Sequence, residues 1–275
     1  MATEALVITR GHPYDRARFF EMLEALPDLS ITHVEHPAVA TVLASPVAER
    51  FQTLLFYDMC GIPGTGVPDG SDPAGNPPAL YVDGITQALE RGTGFVFLNH
   101  ATVSWPNWPL WRELTGSAYL LRAGELRGTH YPGSGYRGGH GPHPNPTFRV
   151  APQGKHPALS GLADGFEITD ELYLTSRAQE SAVLPLLRAD YPFTVEHFTP
   201  PPLAPATEQA NWDHPEGSNL VAWANALKAS PVVATMLGDG PDAYGNEGFR
   251  TLLGNALRWT GSAAGRDWAA SYGGS

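Results

Sequence analysis

The chain alternates short apolar runs with amphipathic segments, and this alternation limits its fold more than any other feature. Apolar runs of four to seven residues, typical of buried strands, occur at residues 5–9, 95–98 and 231–237, and residues 30–34 and 52–58 are also interpreted as strands. Apolar residues at helical spacing predict helices at residues 14–26, 80–91 and 249–257. Strands that alternate with helices predict an α/β fold in which helices cover both faces of a mostly parallel sheet.

The middle of the chain departs from this pattern. Residues 148–183 alternate apolar and polar side chains with a period near two, which favours antiparallel strands or a hairpin. Long loops rich in glycine and proline are predicted around residues 62–78, 124–146 and 200–217. No repeat or linker divides the chain, so residues 1–261 are predicted to form one domain and residues 262–275 a loosely held tail.

The composition of the chain limits which partners it is expected to bind and in which cellular compartment it is expected. The chain has 28 acidic against 17 basic residues, a net charge of -11, which disfavours nucleic acid and anionic membrane surfaces as partners. Cys60 is the only cysteine, so no internal disulfide can form, which fits a reducing compartment. The sequence shows neither a secretory signal nor the roughly 20-residue apolar run that spans a bilayer. We therefore expect a cytoplasmic protein.

Polar side chains directly follow the predicted strands. Ligands of open α/β sheets bind at the carboxyl ends of the strands, so these side chains are expected to share one rim. They are His12 and Tyr14 after the first strand, Asp58 and Cys60 after the third, Asn99 and His100 after the fourth, and Asp239 after the last. In particular, His100 is expected within side-chain reach of His12.

Four residues are predicted to be catalytic: His100, His12, Glu171 and Asp58. The imidazole pKa near 6.5 suits His100 for proton transfer, and a structural hydrogen bond is the alternative. His12 could instead cap the first helix or pack on the proline that follows it. Asp58 could simply shape its loop, and Glu171 could act as an acid or base or pair with an arginine.

A second set of residues is predicted to bind substrate. Three tryptophans lie within residues 105–111, where they suit either core packing or stacking on the C–H face of a sugar. The histidines of the long loop could equally have no role. The predicted set is Tyr14, Asn99, Trp105, His130, His140, His143, Tyr173 and Asp239.

A metal site is a further hypothesis. Imidazoles in a cleft that carries carboxylates could bind a divalent ion such as zinc. The histidines show no metal-binding spacing such as HExxH, so the sequence assigns no ligand set and no certain cofactor.

Several motifs, taken in their order along the chain, resemble those of the ThuA-like family, named for trehalose utilisation. The resemblance spans roughly residues 5–260, and the order and spacing of its motifs are more specific than any one of them. The motifs are GHPYD at 11–15, YDMCG at 57–61, GFVFLNHA at 94–101, WPNW at 105–108, HP through GL at 156–162, DELY at 170–173, LG at 237–238 and NALRW at 255–259.

The resemblance implies a flavodoxin-like, three-layer α/β/α fold related to class I glutamine amidotransferases. The turn at Asn99 and His100 resembles the nucleophile elbow of those enzymes, with histidine in place of cysteine. Cys60 follows a different strand and does not replace that cysteine, so thiolate amidotransferase activity is not expected. The family commonly has a histidine after the late Leu-Gly, where this chain has Asp239.

Two classes of function follow from the family resemblance. The first is an enzyme that acts on a disaccharide or keto-sugar by acid–base chemistry, as a hydrolase, lyase or isomerase. Members of the family occur near sugar-oxidising dehydrogenases, which implies a functional link to such an enzyme. The second is a non-catalytic carbohydrate-binding or regulatory domain. The chain lacks GxGxxG after strand one and lacks GxxxxGK[ST], so nucleotides are not expected ligands, and a homo-oligomer is left open.

Overall fold

The structure, a computed structural model, describes residues 2–139 and 143–272. Within these residues it contains thirteen strands and eight α-helices. The strands are β1 (Thr3–Arg10), β2 (Leu29–Glu35), β3 (Thr53–Asp58), β4 (Gly94–Leu98), β5 (Gly124–Leu126), β6 (Thr129–Tyr131), β7 (Gly135–Arg137), β8 (Thr147–Pro152), β9 (Phe166–Thr169), β10 (Leu172–Leu174), β11 (Leu184–Asp190), β12 (Leu220–Leu227) and β13 (Ser230–Thr235). The helices are α1 (Arg16–Glu24), α2 (Ala38–Leu43), α3 (Ala79–Glu90), α4 (Pro109–Thr115), α5 (Ala206–Ala210), α6 (Pro241–Gly245), α7 (Glu247–Thr260) and α8 (Ala263–Tyr272).

Nine strands form one central sheet in the order β2-β1-β3-β4-β13-β12-β11-β8-β9. The strands from β2 to β13 in this order pair in parallel, and those from β12 to β9 continue the sheet with antiparallel pairs. The predicted α/β fold with a parallel sheet is confirmed, and so are the antiparallel strands in the middle of the chain. Short ribbons of β10 with β7 and of β5 with β6 lie outside the sheet.

Helices cover both faces of the sheet because successive strand residues point to opposite sides. On one side Phe56 packs against Trp111 of α4, with ring centroids 5.1 Å apart. On the other side its neighbour Tyr57 stacks on Phe19 of α1 at 4.6 Å. Helices α2 and α3 share the side of α4, whereas α6, α7 and α8 share the side of α1. The result is a three-layer arrangement.

Two of the three predicted helices, α1 and α7, begin at a capping residue. The Asp15 side chain accepts a hydrogen bond from the Arg18 N–H at 3.0 Å at the start of α1. Asn246 does the same for the Phe249 N–H at the start of α7, also at 3.0 Å. Such caps satisfy N–H groups that have no partner within the helix.

Strand β12, whose residues read LVAWANAL, is not predicted from the sequence. An apolar run with several alanines fits a buried helix as well as a buried strand. The segment forms a strand because its residues 222–227 pair with β13. The pattern of the segment itself does not reveal this pairing.

Residues 263–272, predicted to be a loosely held tail, form α8 instead. The helix packs on β12 and β13, and Ala269 is completely buried in that contact. Trp268 meets Trp259 of α7 at a ring distance of 5.1 Å. The small residues of this segment therefore allow close packing.

Among the described residues, no helix combines the length and apolar character needed to cross a membrane.

The packing of α8 predicts different effects at two neighbouring alanines. Ala269→Asp should lower the free energy of unfolding by about 2 kcal/mol or more, because it puts an unpaired charge into a buried position. Ala270→Asp, at an exposed position of the same helix, should change it by less than about 0.5 kcal/mol. Urea denaturation of both variants measures the difference. Equal tolerance of both changes would show that α8 is not part of the folded core.

Candidate functional site

Three titratable side chains from separate parts of the chain meet at the carboxyl ends of β1, β4 and β13. The His12 and His100 rings stack with centroids 4.2 Å apart. Asp239 Oδ1 lies 3.9 Å from Nδ1 of both histidines. His100 is nearly inaccessible, with 3% of its side chain exposed, whereas His12 and Asp239 keep 15% and 12%. The group, named here the His12 cluster, is therefore both close-packed and open to solvent on one side.

Backbone geometry places His12 in the cluster. Gly11 has a φ of 86°, and a Cβ atom built there would lie 2.0 Å from the Met59 carbonyl oxygen. Only glycine combines this conformation with such a close backbone approach. The turn after β1 thus passes directly over the end of β3 and presents His12 to the cleft.

His100 follows a left-handed residue in the turn after β4. The residue with positive φ is Asn99, at 48°, one position before His100. Asparagine tolerates this conformation better than most residues, and residues Asn99–Thr102 then form a 3-10 turn. This conformation lifts the His100 ring toward Tyr57, whose ring centroid lies 4.5 Å away.

The Asn99 side chain orients the His100 imidazole. Asn99 Nδ2 donates to the Met236 carbonyl at 2.8 Å, so Oδ1 must be the acceptor. Oδ1 accepts from the His100 backbone N–H at 2.6 Å and lies 2.9 Å from His100 Nδ1. Because the amide oxygen can only accept, Nδ1 carries the hydrogen, and the neutral ring then has its lone pair on Nε2.

Asp170 holds the backbone that carries Asp239. Its carboxylate accepts the Gly238 N–H at 2.6 Å and the Asp239 N–H at 3.1 Å. It also accepts the Glu171 N–H at 2.9 Å. Complete burial raises the pKa of the Asp170 carboxyl, and the bonds from Gly238 and Asp239 oppose that rise. One buried carboxyl thereby fixes the positions of both neighbouring acidic residues.

Glu171 lies between two tyrosine hydroxyls. Tyr173 Oη is 2.6 Å from Glu171 Oε1 and 2.7 Å from Asn99 Oδ1, yet the hydroxyl has a single hydrogen to donate. Both contacts become hydrogen bonds when Glu171 carries a proton and donates it to Tyr173. Burial, followed by the nearby Asp239 charge, raises the pKa of Glu171 and favours this neutral form. Tyr136 Oη donates to Oε2 at 2.7 Å.

Tyr57 and Tyr244 close the cluster on the α1 side. Their hydroxyl oxygens are 2.6 Å apart, and Tyr57 Oη lies 3.5 Å from Asp239 Oδ1. Burial raises the pKa of Tyr57 well above 10, so its hydroxyl stays protonated at neutral pH. The wall therefore supplies hydroxyl groups and no negative charge.

The structure brings together six of the residues singled out from the sequence. His12, His100 and Asp239 form the cluster, and Asn99, Tyr173 and Glu171 connect to it through the hydrogen bonds above. Tyr14 lies behind it, with its hydroxyl 3.3 Å from Thr9 Oγ1 and its ring edge-on to Tyr57 at 5.4 Å. Four further residues of the site are not singled out as site residues by any sequence pattern, although Asp170 adjoins Glu171 in the DELY motif. They are Tyr57, Tyr244, Asp170 and Tyr136.

Asp58 does not join this group. Tyr57 faces His100, so Asp58, the next residue of β3, faces the opposite side of the sheet. There its Oδ2 lies 3.1 Å from His36 Nε2. Burial raises the pKa of Asp58, and the contact with His36 opposes that rise.

Trp105 is not a sugar platform, which corrects the interpretation of the tryptophan cluster. It is completely buried, and its ring lies 5.3 Å from Tyr81 and 5.6 Å from His36. His130 lies on β6, exposed and apart from the cluster. His143 lies in the loop before β8, and His140 lies outside the described residues.

Cavities of the described residues do not by themselves locate the site. One cavity of about 590 Å³ lies between α4 and β5 and is lined by Arg112, Glu113 and Glu125 without a histidine. A smaller, open cavity of about 350 Å³ adjoins His12 and Tyr14. The chemistry favours the smaller one, because convergent titratable groups distinguish functional pockets better than volume does.

The His12 cluster also has the composition of a metal site. One ligand atom from each of His12, His100 and Asp239 lies within 4.8 Å of the others. Two imidazoles and a carboxylate are zinc ligands, and the Asn99 bond to His100 Nδ1 is the kind of second contact that orients a ligating histidine. Burial raises the pKa of the Cys60 thiol well above 9, so Cys60 is not a ready thiolate nucleophile.

Comparison with known proteins identifies relatives. A family model described as ThuA, trehalose utilisation, matches residues 77–260. No curated protein matches the chain.

Two ThuA-like proteins of known structure share this fold at low sequence identity. A ThuA-like protein from Parabacteroides merdae aligns with a TM-score of 0.64 at 15% identity, over 95% of this chain and 91% of that one. A ThuA-like protein from Bacteroides uniformis aligns with a TM-score of 0.59 at 16% identity, over 94% and 91%. A glutamine amidotransferase from Thermotoga maritima aligns with a TM-score of 0.47 at 9% identity, over 96% and 100%.

The neutral form of Glu171 predicts a pH dependence of stability. Its folded-state pKa is raised, so above the unfolded value near 4.5 the native state binds more protons than the unfolded state. The stability of the wild type relative to Glu171→Gln should therefore be greatest at low pH. It should decline as the pH rises through the folded-state pKa.

Urea denaturation of both proteins with chelator present, at a series of pH values from about 4 to 8, measures this difference. Glu24→Gln, at an exposed position of α1, is the matched control and should show no such decline. A difference that rises with pH would mean that Glu171 is ionised in the folded protein.

Proposed function

Because the chain belongs to the ThuA family of trehalose utilisation, we propose that it is an enzyme that acts on a sugar by proton transfer at the His12 cluster. The substrate class proposed is a disaccharide or keto-sugar. The observation that carries the proposal is the stacked pair of imidazoles beside Asp239 at the carboxyl edge of the parallel sheet. Family membership alone supports a role connected with sugars and specifies no reaction.

Proton removal next to a carbonyl is the step that suits these residues. His100 Nε2 is the proposed base, since Asn99 Oδ1 holds the hydrogen on Nδ1. Asp239 would stabilise the imidazolium that forms, as a nearby carboxylate does in other histidine-dependent sites. His12, stacked on the same ring, is the proposed acid toward the substrate oxygen. No covalent nucleophile is needed for this chemistry.

The step that follows this proton removal determines the overall reaction. Return of the proton to a neighbouring carbon gives an isomerase, and loss of a substituent next to the resulting enolate gives a lyase. Addition of water after that loss completes a hydrolysis. All three share the first proton transfer, so the proposal is made for that step. A keto-sugar substrate would have to come from a sugar-oxidising dehydrogenase, and we propose a functional link to one.

A metal-bound site is the alternative to this proton transfer, because a histidine nitrogen that holds a metal cannot also act as the base. A divalent cation such as zinc, held by His12, His100 and Asp239, would then polarise the substrate carbonyl as a Lewis acid. The protein residues would then orient the sugar. Glu171 in its protonated form and the tyrosine hydroxyls offer hydrogen bonds to its hydroxyl groups without adding negative charge.

The proposal predicts a specific loss on removing His100. His100→Ala should lower kcat by about 100-fold or more on a substrate that the wild type turns over, which is the usual scale for a general acid or base. His197→Ala, a partly exposed histidine near the antiparallel end of the sheet, is the matched control and should retain activity. Steady-state assays with disaccharides and their keto forms provide the measurement.

Calorimetry with the same sugars, ATP and NAD separates the alternatives. Sugar binding without turnover, unchanged by His100→Ala, would favour the non-catalytic carbohydrate-binding domain. Tight binding of a nucleotide with none of any sugar would contradict both functions.

A further inference from the structure

A second group of metal-ligating side chains lies on the opposite side of the sheet from the His12 cluster. His36 follows β2, Asp58 ends β3 and Cys60 lies two residues further on. One ligand atom from each lies within 4.8 Å of the others, and His36 Nε2 is 3.1 Å from Asp58 Oδ2. We name these three residues the Cys60 cluster.

All three residues are removed from water. Asp58 and Cys60 are 0% exposed and His36 is 2% exposed. Asp58 Oδ2 contacts His36 Nε2 at 3.1 Å and the Cys60 thiol also lies against this carboxyl, but neither Asp58 nor His36 Nε2 has a contact with good hydrogen-bond geometry among the described residues. Buried polar atoms in folded proteins are nearly always well hydrogen-bonded or bound to an ion, so three ligating side chains buried against one another in this way point to a shared ion.

Two further polar groups border the same space. The Tyr81 hydroxyl and Trp105 Nε1 are also buried, and they interact with each other without good hydrogen-bond geometry. The Tyr81 ring is 5.0 Å from His36, and the Trp105 ring is 5.6 Å from it. The Tyr81 oxygen could serve a bound ion as a fourth ligand, directly or through a water. Trp105 could donate to an anionic ligand atom.

We propose that the Cys60 cluster binds a zinc ion as a structural site. Thiolate sulfur, imidazole nitrogen and carboxylate oxygen are the three kinds of ligand that zinc takes in proteins. On binding, the Cys60 thiol releases its proton to solvent and its sulfur bonds to the metal. The 2+ charge of the ion then balances one thiolate and one carboxylate beside a neutral imidazole. A buried ionic group is tolerated when its charges sum to zero.

The position of the cluster gives the zinc a structural task. Its ligands join the carboxyl ends of β2 and β3 to the start of the long loop over residues 59–78. That loop also contributes Asp69, whose carboxylate accepts the Gly61 N–H at 2.7 Å. A zinc ion here would hold the loop beside the sheet edge, and the proposal does not depend on any activity of the His12 cluster.

Cobalt substitution tests the proposal, because Cys60 is the only cysteine of the chain. Full-length protein is produced without a histidine tag in medium supplemented with Co²⁺, and its absorption spectrum is recorded. We expect a thiolate-to-cobalt charge-transfer band in the near ultraviolet, which only Cys60 can produce. The His12 cluster contains no sulfur, so cobalt bound there gives no such band. Absence of the band from wild-type protein would overturn the proposal.

Variants confirm the ligand assignment and its structural role. Cys60→Ser should abolish the band, and Asp58→Asn should reduce metal retention at least tenfold in dialysis against chelator. Asp239→Asn, which changes the His12 cluster alone, should keep the band. Zinc content by elemental analysis should fall by one ion per chain in Cys60→Ser relative to wild type. Equal zinc content in the two proteins would overturn the proposal, and if Cys60→Ser does not fold, the wild-type spectrum decides.

Discussion

The side-chain amide of Asn99 is the interaction on which the arrangement of the site depends. Its nitrogen is bonded to the carbonyl of Met236, just beyond β13, which sets the direction of the amide. Its oxygen then receives hydrogen bonds from the His100 backbone and ring and from the Tyr173 hydroxyl. One group therefore joins the ends of two parallel strands to the β10 ribbon and selects the tautomer of the proposed base. Asn99 itself has a left-handed backbone conformation, which is unfavourable for most residues and is maintained by these contacts.

Buried acidity is the second determinant of the site. Asp170, Glu171 and Asp239 come from two segments, and full ionisation of all three would be unfavourable in a space with little water. Backbone N–H groups donate hydrogen bonds to Asp170. Burial and the charge of Asp239 raise the pKa of Glu171, which favours its uncharged form. Asp239 keeps its place beside two imidazoles. The negative charge of Asp239 therefore favours a protonated histidine or a bound cation at His12 and His100. The proposed chemistry requires one or the other.

The parallel half of the sheet could be predicted from the sequence because most of its strands are apolar runs followed by a turn; β2, at the end of the sheet, is the exception. Topology then brought His12, His100 and Asp239 together without any information on contacts. Which face of a strand a residue occupies was harder. Tyr57 and Asp58 are adjacent in a fully buried strand, so its pattern does not tell which one faces the cleft. The roles of Asp170 and Tyr136 depend on hydrogen bonds across 68 and 35 residues, which no local pattern contains.

If the His12 cluster receives a sugar, as proposed, a crystal structure of the protein with a bound keto-disaccharide should show it there. We expect sugar oxygens within hydrogen-bond distance of His12 and His100, with His100 Nδ1 still bonded to Asn99. An ordered sugar in the cavity between α4 and β5, with His12 and His100 untouched, would contradict it.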